Sequence, residues 1–314
     1  MHLKMSAVIC TLNRCEMLRN AILSLTHQTL DRADYEIIVV DNGSNDSTEK
    51  AVDELARKVP NLRYVYETKP GLSHARNRGA ELAKGEIVAF IDDDATAAER
   101  WLEALLLDYW VEPDICAVGG KIHVVWLPAR PRWLPPELES HFSKLDLGDN
   151  RQIVQYPTFP FGTNMSILRR ILLDQGGFSP RLGRRGTSLL SCEESELFYR
   201  LSRNKMKVMY EPNAIVYHNV AAKRLSRAWI LQRSFAQGRS NLILEQLADE
   251  GLSRRRLLGR SRNALRHAFR LGFRCLAELD NPISALLEAS GTAYFSGYVY
   301  QSLLSTFLQT TGRS

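Results

Sequence analysis

The chain has little cysteine and no cysteine pair at metal-binding spacing. Its 314 residues include five cysteines, an odd number without a CxxC pair. The five are Cys10, Cys15, Cys116, Cys192 and Cys275. This usage argues against a disulfide framework and a structural zinc site, and it is typical of a reducing compartment. The start, MHLKMSAVICTLNR, has no long apolar segment, so we expect no secretory signal and a cytosolic chain.

The usual phosphate-binding motifs are also absent. No GxxxxGK[ST] sequence occurs, and no GxGxxG follows the first predicted strand. A P-loop and a dinucleotide-binding site of the ordinary kind are therefore both disfavoured. Any nucleotide site in this chain must use other side chains.

Acidic residues are missing from the stretch 253–274, although the whole chain has a net charge of only +6. Eight arginines lie there: Arg254, Arg255, Arg256, Arg260, Arg262, Arg266, Arg270 and Arg274. The last four recur every four residues and form one row on a helix, beside an apolar side that includes Leu265, Phe269 and Leu276. This pattern indicates a basic amphipathic helix on an anionic membrane surface. A solvated charged face on a core-packed helix is the alternative.

Long apolar runs are scarce. Residues 289–308 carry no charge over about the length of a membrane span, but Ser, Thr, Gln, Gly and Tyr make the segment polar for a spanning helix. We expect it to be a monotopic helix or to form a homo-oligomer.

Strand and helix patterns alternate along the first hundred residues. Strands are predicted at 5–11, 36–42, 62–67 and 86–92, and helices at 16–29, 46–58 and 74–83. The strands are apolar with little alternation, which indicates burial on both faces of a parallel sheet covered by helices. We therefore predict an α/β fold with a Rossmann-like, mostly parallel central sheet, followed from residue 222 by a helical region.

Polar residues follow three of these strands, at the edge where such sheets bind ligands. Thr11, Asn13 and Arg14 follow the first strand, Asp41 the second, and three consecutive aspartates the fourth. Asp92, Asp93 and Asp94 repel one another unless a positive group lies between them. A divalent cation such as Mg²⁺ or Mn²⁺ would supply it. An aspartate that caps the next helix in solvent is the alternative.

Several segments together resemble family 2 glycosyltransferases of the GT-A fold. The matching stretches span residues 5 to about 218 and keep the family's order. They are VICTLNR, IIVVDNGSNDST, GLSHARNRGAELAKGEIVAFIDDDA, GGF, CEESELFYRL and YEPNAIVYH. The resemblance implies a nucleotide-sugar donor, usually uridine-linked, and a metal-binding Asp-x-Asp motif.

The resemblance also implies roles for single residues. Asp92 would face the ribose or base, Asp94 would ligate the metal, and Asp93 would support them. The nucleoside would be lined by Thr11, Asn13, Arg14 and Asp41, with Arg76 nearby. His218, at the end of AIVYH, corresponds to a metal ligand in some members, although a lone histidine at a strand end is more often structural.

A carboxylate that accepts the proton of the acceptor hydroxyl is the remaining requirement. The family's ED pair corresponds to Glu193-Glu194 here, so the resemblance implies Glu194 as base, with Glu193 left open because this chain has Glu where Asp is usual. The sequence also permits a structural role, since Ser191 and Glu194 have capping-box spacing.

Arginines in the loop SPRLGRRG form a further candidate. Guanidinium groups match phosphate oxygens in pairs, so Arg181, Arg184 and Arg185 are candidates for binding the donor diphosphate. A solvated basic loop is an equally good interpretation.

The sequence thus predicts a GT-A catalytic domain over 1–221, with a donor half at about 1–100 and an acceptor half at about 101–221, and a membrane-associating or oligomer-forming region over 222–314. We expect an inverting, metal-dependent transferase for a glycan or lipid-linked acceptor in surface polysaccharide synthesis, peripheral on the inner face of the cell membrane. A polyprenyl-phosphate glycosyltransferase and a non-catalytic tethered binding subunit are the alternatives. No nucleic-acid partner is expected.

Overall fold

The computed structural model describes residues 3–249 and 254–311, with side chains over 3–249 and 256–307. The side chains of Arg254 and Arg255, and residues 250–253 and 312–314 of the predicted helical region, lie outside this description. The chain divides into two compact units. The first comprises Met1–Val125, Ser143–Pro180 and Glu193–Val220; the second comprises Trp126–Phe142, Arg181–Cys192 and Ala221–Ser314. Segments 126–142 and 181–192, placed by sequence in the catalytic domain, therefore group with the C-terminal unit.

Four parallel strands form the N-terminal part of the first unit. They are β1 (Met5–Thr11), β2 (Tyr35–Asp41), β3 (Leu62–Tyr66) and β4 (Ile87–Asp92), in the order β3-β2-β1-β4. The connecting helices are α1 (Cys15–Thr26), α2 (Thr48–Ala56) and α3 (Leu72–Leu82). The predicted strands and helices are confirmed here, with ends displaced by up to three residues.

The remaining strands extend this sheet in a mixed arrangement. They are β5 (Ala95–Ala97), β6 (Ile115–Leu127), β7 (Gln152–Val154), β8 (Asn164–Leu168) and β9 (Lys207–Ala221). Over the described residues the sheet order is β3-β2-β1-β4-β8-β6-β9-β5, and β7 pairs with β9. The β4–β8, β6–β8, β5–β9 and β7–β9 pairings are antiparallel. The predicted parallel pairing thus holds only for the first four strands, because later strands are added beside β4 without a parallel crossover.

Both faces of this sheet are buried under helices. Alternate strand residues point to opposite faces, so that Ala7 and Ile9 join one core cluster and Val8 joins the other. On the first face α1 and α4 (Trp101–Val111) contribute Leu18, Ile22 and Trp101. On the second face the helices are α3, α5 (Arg169–Asp174) and α6 (Glu193–Arg203). The interior of the sheet is therefore apolar on both faces, and polar residues stand at the carboxyl ends of its strands.

The second unit is built from three long helices, α7 (Arg227–Ala248), α8 (Arg254–Ala277) and α9 (Pro282–Thr311). Two glycines let α7 and α9 approach closely. A Cβ atom on Gly238 would lie 1.9 Å from the carbonyl oxygen of Tyr294, and one on Gly297 would lie 1.9 Å from that of Phe235. Among residues 3–249 and 254–311, no helix combines the length and apolar character needed to cross a bilayer.

Candidate active site

Parallel pairing brings the predicted site residues to one edge of the sheet. In the register of β1 with its neighbours, Thr11 lies beside Asp41 and Cys10 lies beside Asp92. Ligands of such sheets bind beyond this edge. Strand pairing alone therefore assembles the polar ends of β1, β2 and β4.

Asp92, the last residue of β4, is held by a threonine and an arginine. Thr163 donates its hydroxyl to Asp92 Oδ2 over 2.6 Å, and Arg76 Nη2 lies 3.2 Å from Asp92 Oδ1. The antiparallel register, which pairs Ile91 with Asn164, places Thr163 beside Asp92. Sequence analysis missed Thr163, because only the pairing of β4 with β8 brings these distant residues together.

Asp93 and Asp94 share one arginine. Arg14 Nη1 lies 2.7 Å from Asp93 Oδ1 and 2.7 Å from Asp94 Oδ2, and Thr11 donates its hydroxyl to Asp93 over 2.8 Å. Burial raises the pKa of Asp93 to about 6, against the lowering effect of Arg14. Part of the positive charge that the three aspartates require is therefore supplied by the protein itself.

The capping alternative for these aspartates is wrong. Residues 95–97 form strand β5, and α4 begins only at Trp101. None of the three aspartates therefore starts a helix.

His218 lies against Asp94. Strand β9 pairs His218 with Ala95, and the Asn219 N–H donates to the Asp94 carbonyl over 2.8 Å. The His218 Nε2 atom is 3.3 Å from Asp94 Oδ1, and both side chains are buried. The contact joins residues 124 positions apart in sequence, and the metal-ligand roles that the resemblance implies for both stay predictions.

The pair fits a divalent ion that takes its other ligands from a substrate. Within the described parts of the chain, no three His, Cys, Asp or Glu side chains cluster closely enough to hold a metal by themselves. One carboxylate and one imidazole leave coordination positions for diphosphate oxygens and water, and Mg²⁺ beside phosphates commonly takes only one or two ligands from the protein. Asp94 and His218 are therefore candidate ligands for a shared site rather than a closed protein cage.

Asp41 is fixed in a buried position at the end of β2. It accepts hydrogen bonds from Ser44 N–H over 2.8 Å and from the hydroxyl of Tyr64 in β3 over 2.9 Å. Asn13 ties the loop after β1 to the loop after β2, because its Oδ1 atom accepts from Asn45 N–H over 2.8 Å. The structure thus places Asp41 and Asn13 at the predicted nucleoside side, and Tyr64 is a partner that sequence analysis missed.

Arg76 lies at the centre of the acidic residues. Its Nη1 atom is 2.6 Å from Glu193 Oε1, and its other arm contacts Asp92. The guanidinium is buried over the Phe178 ring at 5.7 Å. A Cβ atom on Gly162 would lie only 2.3 Å from Arg76 Nη2, so glycine leaves room for the arginine. Arg76 therefore joins Asp92 to the acidic pair, and a role beside the nucleoside stays a prediction.

Asn77, next to Arg76, is hydrogen-bonded to Phe178, the last residue of the GGF segment. Asn77 Nδ2 donates to the Phe178 carbonyl over 2.9 Å, and Phe178 N–H donates to Asn77 Oδ1 over 2.8 Å. These bonds fix the phenylalanine against which Arg76 rests.

Glu193 and Glu194 open helix α6 but have different surroundings. Glu193 is ion-paired with Arg76 through its Oε1 atom. The buried Oε2 atoms of both Glu193 and Glu194 have no hydrogen-bond partner among the described residues, so the ion pair is what distinguishes the two. Burial, and next the charge of Glu193, raise the pKa of Glu194 to about 7, against the lowering effect of Arg76. Glu194 is thus a carboxyl group that changes protonation near neutral pH.

The capping-box interpretation of Glu194 is wrong. Helix α6 begins at Glu193, so Cys192 precedes it rather than Ser191. The Ser191 hydroxyl donates instead to Gln237 Oε1 over 3.1 Å. The acidic pair is therefore not explained by a helix start of that kind.

Arg181, Arg184 and Arg185 belong to the second unit. Their loop contains a bridge between Arg185 and Ser188. Their predicted contact with a diphosphate stays a prediction.

Comparison with known proteins indicates the same family that the sequence motifs resemble. A family model described as "Glycosyl transferase family 2" matches residues 6–177, more than half of the chain. The "Glucosyl-dolichyl phosphate glucuronosyltransferase" of Haloferax volcanii is 29% identical over 250 residues, covering 78% of each protein. The "Succinoglycan biosynthesis protein ExoM" of Rhizobium meliloti is 27% identical over 237 residues, covering 74% of this chain and 72% of that protein.

A solved structure shares the fold. The crystal structure of GalNAc-T7 with UDP, GalNAc and Mn²⁺ superimposes with a TM-score of 0.56 at 18% identity. The match covers 76% of this chain and 51% of that one. This similarity shows the fold alone, and the predicted GT-A type α/β fold is confirmed.

Proposed function

Because this chain belongs to glycosyl transferase family 2, we propose that it is an inverting, metal-dependent enzyme. It moves a sugar from a uridine-diphosphate-linked nucleotide-sugar to a hydroxyl group of a glycan or lipid-linked acceptor. The observation that carries this proposal is the state of Glu194, a half-buried residue whose buried Oε2 atom has no hydrogen-bond partner among the described residues and whose pKa is raised to about 7. A general base needs a pKa near the working pH and a free oxygen for the incoming proton.

Glu194 accepts the proton and Glu193 positions the site. As the acceptor oxygen bonds to the anomeric carbon, its proton passes to Glu194 Oε2. The bond from that carbon to the donor phosphate breaks, and its electron pair leaves with the nucleoside diphosphate. One in-line displacement of this kind inverts the anomeric centre. Glu193 is neutralised by Arg76, so it is the weaker candidate for the base.

The donor lies at the carboxyl ends of β1, β2 and β4 in this proposal. Asp41, Thr11 and Asn13 bind the nucleoside side, and Asp94 with His218 holds the divalent ion, Mn²⁺ or Mg²⁺. When bound, that ion supplies the charge that stabilises the departing diphosphate. Arg184 and Arg185 are proposed to contact the same phosphates, because guanidinium pairs with phosphate oxygens.

Two relatives support the acceptor class. The name of the Haloferax volcanii protein includes a glucosyl-dolichyl phosphate, which is a lipid-linked sugar. The Rhizobium meliloti protein is named for succinoglycan biosynthesis. We therefore propose a lipid-linked or polysaccharide acceptor, reached from the cytosolic face of the membrane. The five free cysteines are compatible with that compartment.

The first experiment is calorimetric binding of UDP with and without Mn²⁺, with GDP and dTDP as controls. We expect the wild type to bind UDP only when the metal is present. We expect Asp94→Ala to lose this metal-dependent binding. A matched control is Asp53→Ala, an exposed aspartate of α2, which should bind like the wild type. Binding of no nucleotide would contradict the proposal.

The second experiment separates two kinds of acceptor. Glu194→Gln should retain UDP binding and lose sugar transfer by roughly 10²- to 10⁴-fold if the acceptor is a hydroxyl, since the base is gone. A polyprenyl phosphate is already ionised and needs no base. If Glu194→Gln transfers sugar to a polyprenyl phosphate at the wild-type rate, the acceptor is therefore a polyprenyl phosphate rather than a hydroxyl group. Glu112→Gln, an exposed change, is the control.

A further inference from the structure

Helix α8 of the second unit buries one leucine and otherwise small side chains. Its buried positions are Leu257, Ser261, Ala264 and Ala268, which recur at the spacing of one helix face. Ser261 donates its hydroxyl to Ser302 of α9. A core-packed amphipathic helix would bury most of its large apolar side chains, whereas among the described side chains α8 fully buries only Leu257.

The large apolar side chains of α8 lie on the outside. Leu265 is 44% exposed, Phe269 63%, Phe273 72% and Leu276 65%. Together with Leu258, 48% exposed, they follow one another at intervals of three, four and seven residues, so they form one continuous row. We call these five residues the apolar stripe. Leaving such side chains in water is unfavourable unless a partner covers them.

Three arginines run beside the apolar stripe. Arg262, Arg266 and Arg270 each lie three residues before Leu265, Phe269 and Phe273, so each arginine adjoins a member of the stripe on the helix surface. We call these three residues the arginine row. All three are exposed.

Among the residues that the structure describes, the arginine row has no carboxylate partner, unlike other arginines of the same helix. Arg260 pairs with Glu245 at 2.7 Å, and Arg274 pairs with Glu288 at 2.8 Å. No ion pair involves Arg262, Arg266 or Arg270 within the residues that the structure describes. Arg260 and Arg274 are thus neutralised within the second unit, whereas the three arginines of the row are exposed beside the apolar stripe.

We propose that this face of α8 lies on an anionic lipid bilayer. The apolar stripe enters the boundary between head groups and acyl chains, and the arginine row binds lipid phosphates. This inference rests on the proposed function, in which a lipid-linked acceptor lies in that same surface. A second copy of the chain is the disfavoured occupant, because its own arginine row would oppose the first without any carboxylate between them.

Vesicle co-sedimentation of the full chain tests this proposal. The probes are vesicles of equal parts phosphatidylglycerol and phosphatidylcholine, and vesicles of phosphatidylcholine alone. We expect binding to the first and at least tenfold weaker binding to the second. The triple change Arg262→Gln, Arg266→Gln, Arg270→Gln should weaken binding to the anionic vesicles by roughly 100-fold, since each basic residue near such a surface contributes about fivefold.

A second variant tests the apolar stripe. Phe269→Ser with Phe273→Ser should weaken vesicle binding by more than tenfold even at low salt, because it removes apolar contact and keeps every charge. The matched controls lie in the first unit. Lys50→Gln, Arg57→Gln, Lys58→Gln removes the same charge, and Leu23→Ser with Leu107→Ser removes apolar side chains that are 42% and 41% exposed. Both controls should bind vesicles as the wild type does.

Each outcome decides between the interpretations. Circular dichroism and UDP binding without vesicles check that every variant is folded and retains its donor site. Equal binding to neutral and anionic vesicles, or unchanged binding by both α8 variants, would overturn the proposal. A wild-type dimer in sedimentation velocity that Phe269→Ser with Phe273→Ser dissociates would assign the stripe to a second copy. Vesicle binding without UDP binding would leave this surface in place and refute the proposed function.

Discussion

Glu194 makes the reaction sensitive to pH at the scale of one residue. Its pKa is raised to about 7 by burial, and the proposed base works only when ionised. We expect kcat/KM to rise tenfold per pH unit below pH 7 and to level off above it. The measurement is a rate profile from pH 5 to 9, with Glu112→Gln as the control of unchanged profile. A flat profile between pH 5 and 7 would remove Glu194 from the role of base.

The same carboxyl group affects stability in the opposite direction. Because its pKa rises from 4.5 to about 7 on folding, the folded chain binds more protons than the unfolded chain between these values. The free energy of unfolding should therefore fall as pH increases through this range, by roughly 1–3 kcal/mol. The free energy of unfolding of Glu194→Gln should not fall in this way, because glutamine does not ionise. Urea unfolding of both proteins at pH 5 and pH 8 should show the variant gaining relative to the wild type at pH 8.

Thr163 offers a test of a residue that strand pairing, rather than sequence, identified. Thr163→Val removes the hydroxyl that donates to Asp92 and keeps the shape of the side chain. We expect a loss of about 1–3 kcal/mol in stability or in UDP affinity, because the half-buried Asp92 carboxylate loses a charge-assisted hydrogen bond. Thr163→Ser retains the hydroxyl and should behave much like the wild type. Equal affinity and stability of Val and Ser variants would mean that this bond has no role.

At the scale of elements, two glycines in helices of the second unit have opposite expected effects. A Cβ atom on Gly238 of α7 would lie 1.9 Å from the Tyr294 carbonyl oxygen, whereas one on Gly259 of α8 meets no atom within 4 Å. Gly238→Ala must push α7 and α9 apart, so we expect destabilisation of about 1–3 kcal/mol. Gly259→Ala should stabilise by roughly 0.5–1 kcal/mol through helix propensity. Thermal unfolding of the two variants provides the comparison, and equal shifts would contradict the close packing of α7 on α9.

The pairing of strands also explains how the candidate site residues are brought together. The register of β1 with β2 and β4 places Thr11, Asp41 and Asp92 together, and the pairing of β5 with β9 adds His218. Since each strand is fixed by a buried core on both faces, these residues are positioned before any ligand arrives. Such positioning reduces the loss of entropy on binding.

At the scale of the whole molecule, donor binding should stabilise the folded chain. A ligand at one hundred times its dissociation constant contributes about 2.7 kcal/mol, which corresponds to a rise in Tm of roughly 5–10 °C for a unit of this size. We expect this rise with UDP and Mn²⁺ together and a much smaller one with either alone. Scanning calorimetry of the wild type, Asp94→Ala and the exposed change Asp53→Ala provides the measurement. A rise with UDP that Asp94→Ala leaves unchanged would remove Asp94 from the metal site.

The sequence by itself determined the α/β core and the location of the candidate site. Buried parallel strands are apolar on both faces, so their periodicity is visible in the sequence, and polar residues after such strands must meet at one edge. The family membership was also predicted from the sequence and is confirmed by the family model. The roles of the single site residues stay predictions.

Only the tertiary structure decided which side chains touch. Arg76 meets Glu193 across 117 residues, and Thr163 meets Asp92 across 71; such pairs depend on strand order and register, which periodicity does not encode. The different surroundings of Glu193 and Glu194 follow from one arginine that forms an ion pair only with the first. For α8 the sequence shows an amphipathic helix, but the choice of small residues for the buried face depends on how closely α9 approaches. Burial and distance are properties of the packed chain, and for that reason they appear only in the structure.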